Sequence, residues 1–309
     1  MRMKSRVSML ATAVVTGTTL VGAAFAAAPA SAATAPCGSA AGATPPATFD
    51  HVIWIVYENK SRAQIIGSPD APYLTSIAKQ CAESTNWNHL SQTSLTNYIA
   101  MTSGSLGSNG EITSNRDPSV WPQSSVSLFE QLGTQARQLA ESQPSNCYLK
   151  GNGDFAINHA PMQYYTRIRN TLCQTNAVPL TYPLDLSAKF TLVVPNKTND
   201  MHRTSVNTTL SQKIRAGDSW TSTFLPKVLS SAEYQAGRTV VVLTWDEATA
   251  RDSKVPFIVV SPYVKPGAQI GTRYDHYALL RTTENMLGIS TYLGKAGTAG
   301  NFRTDFHLG

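Results

Sequence analysis

The stretch His51-Val52-Ile53-Trp54-Ile55-Val56-Tyr57-Glu58-Asn59 decides the fold. After His51, six apolar side chains, several of them β-branched or aromatic, run without a polar break and end in an acid and an amide. A strand of this kind is buried on both faces, as in a parallel sheet covered by helices. Residues 190–195, Thr239–Trp245 and 255–261 repeat the pattern. Between them, 72–83, 127–141, 219–231 and 276–287 carry apolar residues at three and four spacing and read as helices. Strands alternating with helices predict an α/β fold, with a mainly parallel central sheet and helices on both faces.

The 309 residues begin with Arg2, Lys4 and Arg6, then an uncharged stretch closed by Ala30-Ser31-Ala32. That is the pattern of a cleavable signal peptide over 1–32, with no stable membrane anchor, so the expected location is secreted. Residues 33–48, rich in Ala, Gly, Pro and Thr, predict a flexible lead-in, followed by one domain over 49–309. Removing the three basic residues leaves 22 Lys and Arg against 19 Asp and Glu, a net charge of +3 instead of +6. No basic run of five or more follows, and the basic residues are not interleaved with aromatics, so no nucleic-acid partner is expected.

Four cysteines, Cys37, Cys81, Cys147 and Cys173, lack the close spacings of a zinc site and read as two disulfides. Three pairings exist; Cys37 with Cys81 and Cys147 with Cys173 is favoured because each closes a local loop.

In open parallel sheets ligands collect beyond the carboxyl ends of the strands. There the sequence delivers Glu58-Asn59, Asp246-Glu247, and Asn196 followed by Asp200 and His202. Asp275-His276 opens the last helix, and His159 follows a short run mid-chain. Carboxylates gathered from several strand ends repel one another unless a cation neutralises them, and mixed carboxylate, amide and imidazole donors suit a divalent ion. Ser94 precedes a helix-like stretch, where the helix's partial positive charge would stabilise an alkoxide or a phosphoryl oxygen; an ordinary N-cap is the competing reading. Residues 103–123, rich in Ser, Gly, Asn and Pro, read as a functional loop. His51 reads as structural, His307 carries no role, and His89 is open. Asp200 is expected to bond His202 or the next loop, and Asp218 to cap the helix that follows it. No phosphate-binding loop, His-Glu-x-x-His or Gly-x-Ser-x-Gly motif is present.

Taken together, the apolar strand ending in Glu58-Asn59, the segment Ser94-Leu95-Thr96-Asn97-Tyr98, the Pro195-Asn196 pair before Asp200 and His202, Trp245-Asp246-Glu247 and the helix opened by His276-Tyr277 resemble a family. It is the bacterial phosphoesterase family of secreted acid phosphatases and phospholipases C, in the alkaline phosphatase superfamily, and the likeness spans nearly the whole mature chain. It implies an alkaline-phosphatase-like three-layer sandwich and a secreted, metal-dependent acid phosphatase. Phosphate monoesters would be hydrolysed through a phosphoserine, with small phosphate esters or phospholipid head groups, phosphoinositides among them, as substrates. Glu58, Asn59, Ser94, Asp246 and Glu247 would hold one divalent metal ion. Ser94 would be the nucleophile, Asn97 would bind substrate, and His159, His202 and His276 would hold phosphate or protonate the leaving group. Thr96 stands where relatives carry Pro, Arg203 follows His202 where an acid is common, and Ala248-Thr249-Ala250-Arg251 replaces the usual acids or glycines. The alternatives are a phospholipase C-like phosphodiesterase and a secreted binding protein with an inactive site; a sulfatase is disfavoured because no Cys lies in that branch's nucleophile motif.

Overall fold

A computed structural model describes residues 36–202, 207–249 and 252–309. The expected signal peptide, Arg203, Ala250 and Arg251 lie outside the described residues. Among those described, ten strands form in chain order: β1 His51–Tyr57, β2 Ala82–Ser84, β3 Trp87–Asn88, β4 Ala136–Ala140, β5 Ala177–Pro179, β6 Phe190–Val194, β7 Thr239–Trp245, β8 Phe257–Val260, β9 Ala268–Ile270 and β10 Tyr274–Asp275. The helices are α1 Arg62–Ile65, α2 Pro72–Gln80, α3 Ser94–Ser103, α4 Leu128–Leu132, α5 Leu172–Asn176, α6 Leu210–Leu229, α7 Ala232–Gln235 and α8 His276–Met286.

Eight strands form one sheet in the order β5-β4-β6-β1-β7-β8-β2-β9, with β3 and β10 paired separately. β1 runs parallel to both β6 and β7, as expected of its unbroken apolar run, and Val52 to Tyr57 are buried. Each such side chain contributes roughly 1.5–3 kcal/mol by leaving water, so the centre of the sheet is also the centre of the core. β8, the next strand in the chain after β7, is antiparallel to both β7 and β2. The connection from β7 begins with Asp246 and Glu247.

Three local expectations give way to tertiary structure. Residues 127–141 do not form one helix: Gly133, at φ 57°, follows α4, and Ala136–Ala140 becomes a strand between β5 and β6. Its sequence, Ala-Arg-Gln-Leu-Ala, suits a helix, and the pairing it completes overrides that preference. The helix expected at 219–231 starts earlier, at Leu210, behind a capping box of Thr209 and Gln212. Asp218 therefore sits inside α6 and caps no helix of its own. Its carboxylate instead accepts from the Tyr73 and Leu74 backbone N–H groups, 3.1 and 2.8 Å away, capping α2, whose first residue, Pro72, has no N–H.

Both favoured disulfides form, Cys37–Cys81 and Cys147–Cys173. The described part of the expected flexible lead-in is tied down. Cys37 is buried, Ala40 N donates to Pro262 O at 2.8 Å, and the buried Arg303 guanidinium donates to Pro46 O and Ala47 O. Among the described residues, no helix is long and apolar enough to cross a membrane.

Candidate active site

Backbone register alone brings three strand ends together. Tyr57 and Trp245 are partners in the sheet, so Glu58 and Asp246 leave it side by side, and Asp246 N donates to Tyr57 O at 2.9 Å. On the other flank, beyond β6, Asp200 O accepts from Glu58 N at 2.9 Å. Asn59 turns the chain sharply at φ 53°, a left-handed conformation that Asn tolerates, and points its N–H at Asp246 Oδ1, 3.2 Å away. Its side-chain amide donates to Glu58 Oε2 at 2.8 Å.

Glu58 is the hub and is fully buried. Its Oε2 accepts from Ser94 Oγ at 3.1 Å and faces His202 Nδ1 at 3.2 Å; Oε1 lies 2.9 Å from His159 Nε2. Burial pushes the Glu58 pKa up, but the His159 charge and the imidazole hydrogen bonds outweigh it and hold the carboxyl below the usual range. Burial pushes His159 down, yet Glu58 and Asp200, the latter 3.3 Å from Nδ1, carry it up to about 10. Asp246 and Glu247 are driven the other way. Burial first, then repulsion from Glu58, raises Asp246 well above the carboxylate range and Glu247 to about 8.

Ser94 is the first residue of α3, a helix buried along its whole length, with Thr93 as N-cap. Asn115, from the 103–123 segment, accepts from Leu95 N at 3.0 Å, so this loop caps the helix that carries Ser94. One helical turn on, Tyr98 stacks its ring on His159, with centroids 5.4 Å apart.

Two expected contact residues are committed elsewhere. Fully buried His276 donates from Nε2 to Asp246 O at 2.5 Å and accepts at Nδ1 from Trp87 Nε1 at 3.5 Å. Burial pushes its pKa down to about 4, so it is a neutral brace behind Asp246 and has no ring nitrogen left for phosphate or a leaving group. Asn97 uses its amide to fold the preceding loop: Oδ1 accepts from Leu90 N and Ser91 N at 3.1 Å, and Nδ2 donates to Ser91 O at 2.7 Å. Nδ2 also reaches Thr93 O and Glu247 Oε2, each at 3.4 Å. Asp200, as expected, accepts from His202 N, at 2.7 Å. His51 donates to Ala188 O and is structural. Sequence reading missed Lys60, whose buried ammonium donates to Asn59 O and Met201 O at 2.9 and 2.8 Å and ties the Glu58 turn to the His202 loop. Burial lowers its pKa to about 8. Its only sequence signal was adjacency to Glu58-Asn59.

The donor set suits a divalent cation. Glu58, His159 and His202 offer ligand atoms that all lie within 4.8 Å of one another. Glu58 Oε1, Asp200 Oδ2, Asp246 Oδ2 and His159 Nδ1 are buried and lack a hydrogen bond of good geometry. Four buried carboxylates face one strongly basic imidazole, and the raised Asp246 and Glu247 hold protons that an oxygen- and nitrogen-liganded ion would displace. His159 and His202, expected to contact phosphate, are thus equally placed to hold such an ion.

The sequence pattern of the Phosphoesterase family matches residues 68–290. Phosphatidylinositol-3-phosphatase of Mycobacterium tuberculosis (strain ATCC 25618 / H37Rv) is 29% identical over 269 residues, covering 85% of this chain and 83% of that protein. Among solved structures, a protein of the alkaline phosphatase superfamily from Vibrio parahaemolyticus superposes with a TM-score of 0.57 at 12% identity, over 85% of this chain and 74% of that one. The lipoteichoic acid synthase LtaP from Listeria monocytogenes gives 0.53 at 13%, over 79% and 73%. At these identities the structures speak for the fold alone.

Proposed function

The chain belongs to the Phosphoesterase family and is a phosphoric-ester hydrolase, and within that class we propose a secreted, metal-dependent acid phosphatase that cleaves phosphate monoesters through a phosphoserine on Ser94. The observation that carries this reading is the Ser94 hydroxyl, at the positive end of a buried helix, directed at Glu58 inside a cluster of buried carboxylate and imidazole atoms, several of which lack a hydrogen bond of good geometry. Phosphoinositide head groups are the favoured natural substrates, on the strength of the mycobacterial relative's name. Two disulfides fit an oxidising compartment and support export.

Glu58, Asn59, Ser94, Asp246 and Glu247 would hold the ion, with His159 or His202 in reach of it. When bound, a divalent ion supplies Lewis-acid polarisation of phosphoryl oxygen and a lower pKa for a coordinated hydroxyl. Ser94 Oγ, oriented by Glu58 Oε2, releases its proton to solvent and attacks phosphorus as the ester P–O bond breaks, and the serine oxygen takes a proton back from solvent when water cleaves the phosphoserine. Partly exposed His202 delivers a proton to the departing alkoxide, releasing the alcohol, and takes one back from the water that hydrolyses the phosphoserine. His159, buried and cationic, offsets developing negative charge.

The test is turnover of p-nitrophenyl phosphate and of its bis ester by the mature protein and by Ser94→Ala, with and without chelator. Monoester hydrolysis that chelation reduces and Ser94→Ala lowers by about 10⁴-fold or more is expected. Preference for the bis ester would establish a phospholipase C-like diesterase instead. Full activity in Ser94→Ala would refute the phosphoserine.

A further inference from the structure

Tyr98 is a fully buried residue whose phenol oxygen makes no hydrogen bond of good geometry. Buried tyrosine hydroxyls normally find a partner, and three other fully buried ones here do. Tyr57 pairs with Thr221 and Tyr165 with Thr102, each at 2.7 Å, and Tyr164 donates to Arg116 O at 2.7 Å. Tyr98 stands apart among charges: the carboxylates of Glu58, Asp246 and Asp200 are its electrostatic neighbours.

Its direction follows from helix geometry. Side chains of an α-helix lean toward the N-terminus, and residues four apart share a face. Tyr98, four residues after Ser94 on α3, is therefore carried back over the turn that presents the serine. The ring is held by its stack on His159, with planes 14° apart, so the hydroxyl is fixed and not swinging. Ser94 Oγ bonds Glu58 Oε2, and the Tyr98 hydroxyl faces the same carboxylate. An ion taking up the Glu58 lone pairs would leave the phenol O–H as a free donor beside the carboxylate that orients Ser94.

We propose that Tyr98 is a catalytic residue whose hydroxyl donates a hydrogen bond to a non-bridging phosphoryl oxygen during attack by Ser94, an assignment that rests on the phosphate-ester reading above. A neutral donor suits this place, since it stabilises charge on the transferring group without exchanging a proton.

The test is calorimetric binding of orthovanadate to the metal-loaded mature chain and to Tyr98→Phe, alongside kcat and KM on p-nitrophenyl phosphate. Loss of one hydrogen bond to a charged oxygen should weaken vanadate about 10- to 100-fold and lower kcat by a similar factor. KM and metal affinity should change little. As a check that leaves the fold untouched, 3-fluorotyrosine placed at position 98 should shift its ¹⁹F resonance when vanadate binds. Unchanged vanadate affinity in Tyr98→Phe, loss of affinity that tracks loss of metal, or a silent ¹⁹F resonance would overturn the assignment. Vanadate binding that depends on Tyr98 in a protein that hydrolyses no phosphate ester would sink the hydrolase mechanism and leave the oxyanion contact standing. No vanadate binding by the wild type would sink both.

Discussion

Glu58 and Glu284 are both fully buried glutamates, and their surroundings treat them in opposite ways. Glu58, at the end of β1, meets Ser94, Asn59 and two imidazoles, and stays ionised despite its burial. Glu284, on α8, accepts one good bond, from Leu293 N at 2.9 Å. There burial prevails over that bond, Gln131 and the Arg281 charge, and raises its pKa to about 7. Equal burial therefore says little about a carboxylate's task; the neighbours decide. An acid held ionised by imidazoles, with lone pairs to spare, is prepared for a cation, whereas one that takes up a proton is part of the packing.

The sharpest way to break this contrast is kinetic. Glu58→Gln should lower kcat on p-nitrophenyl phosphate by about 10²–10³-fold, while Glu284→Gln stays within about twofold of wild type; equal losses would abolish the distinction. Next comes metal linkage. A divalent ion at a hundred times its Kd should stabilise chelator-stripped protein by about 2.7 kcal/mol in thermal unfolding, a gain that Glu58→Gln forfeits and Glu284→Gln retains.

The pH dependence sharpens the other half. Folded Glu284 keeps its proton up to about pH 7, whereas an unfolded glutamate releases it near 4.5. Its contribution is therefore fully present below pH 4.5 and is lost as pH rises through 7. Denaturant midpoints from pH 4 to 8 should show wild type losing on the order of 1–2 kcal/mol more than Glu284→Gln over that window; parallel curves would remove Glu284 as the cause. The smallest effect is expected from Asp218→Ala, which removes the cap of α2 at a cost of about 1 kcal/mol and leaves kcat unchanged.

Legibility in the sequence followed the range of the interactions. β1, β6 and β7 were readable because an apolar run buried on both faces is visible in consecutive residues, and the acids that follow those runs were readable with them. β4 was not, since Ala136–Ala140 has no strand preference and acquires one only from its neighbours. Glu58, Asp246 and Ser94 were found through their places at strand and helix ends. His276 and Asn97 also occupied such places, and nothing local revealed that Trp87 and the Asp246 carbonyl claim one, and the 90–93 loop the other.

By itself the sequence determined the α/β architecture and the strand ends from which the acids emerge, because periodicity and turn chemistry are carried by residues a few positions apart. Only the tertiary structure decided which polar groups meet. Ser94 and Glu58 are 36 residues apart, His276 and Trp87 are 189 apart, and Asp218 and Leu74 are 144 apart. The partners of a buried polar group are chosen by how the elements pack, and that choice fixes its charge, its proton and whether it is free to act.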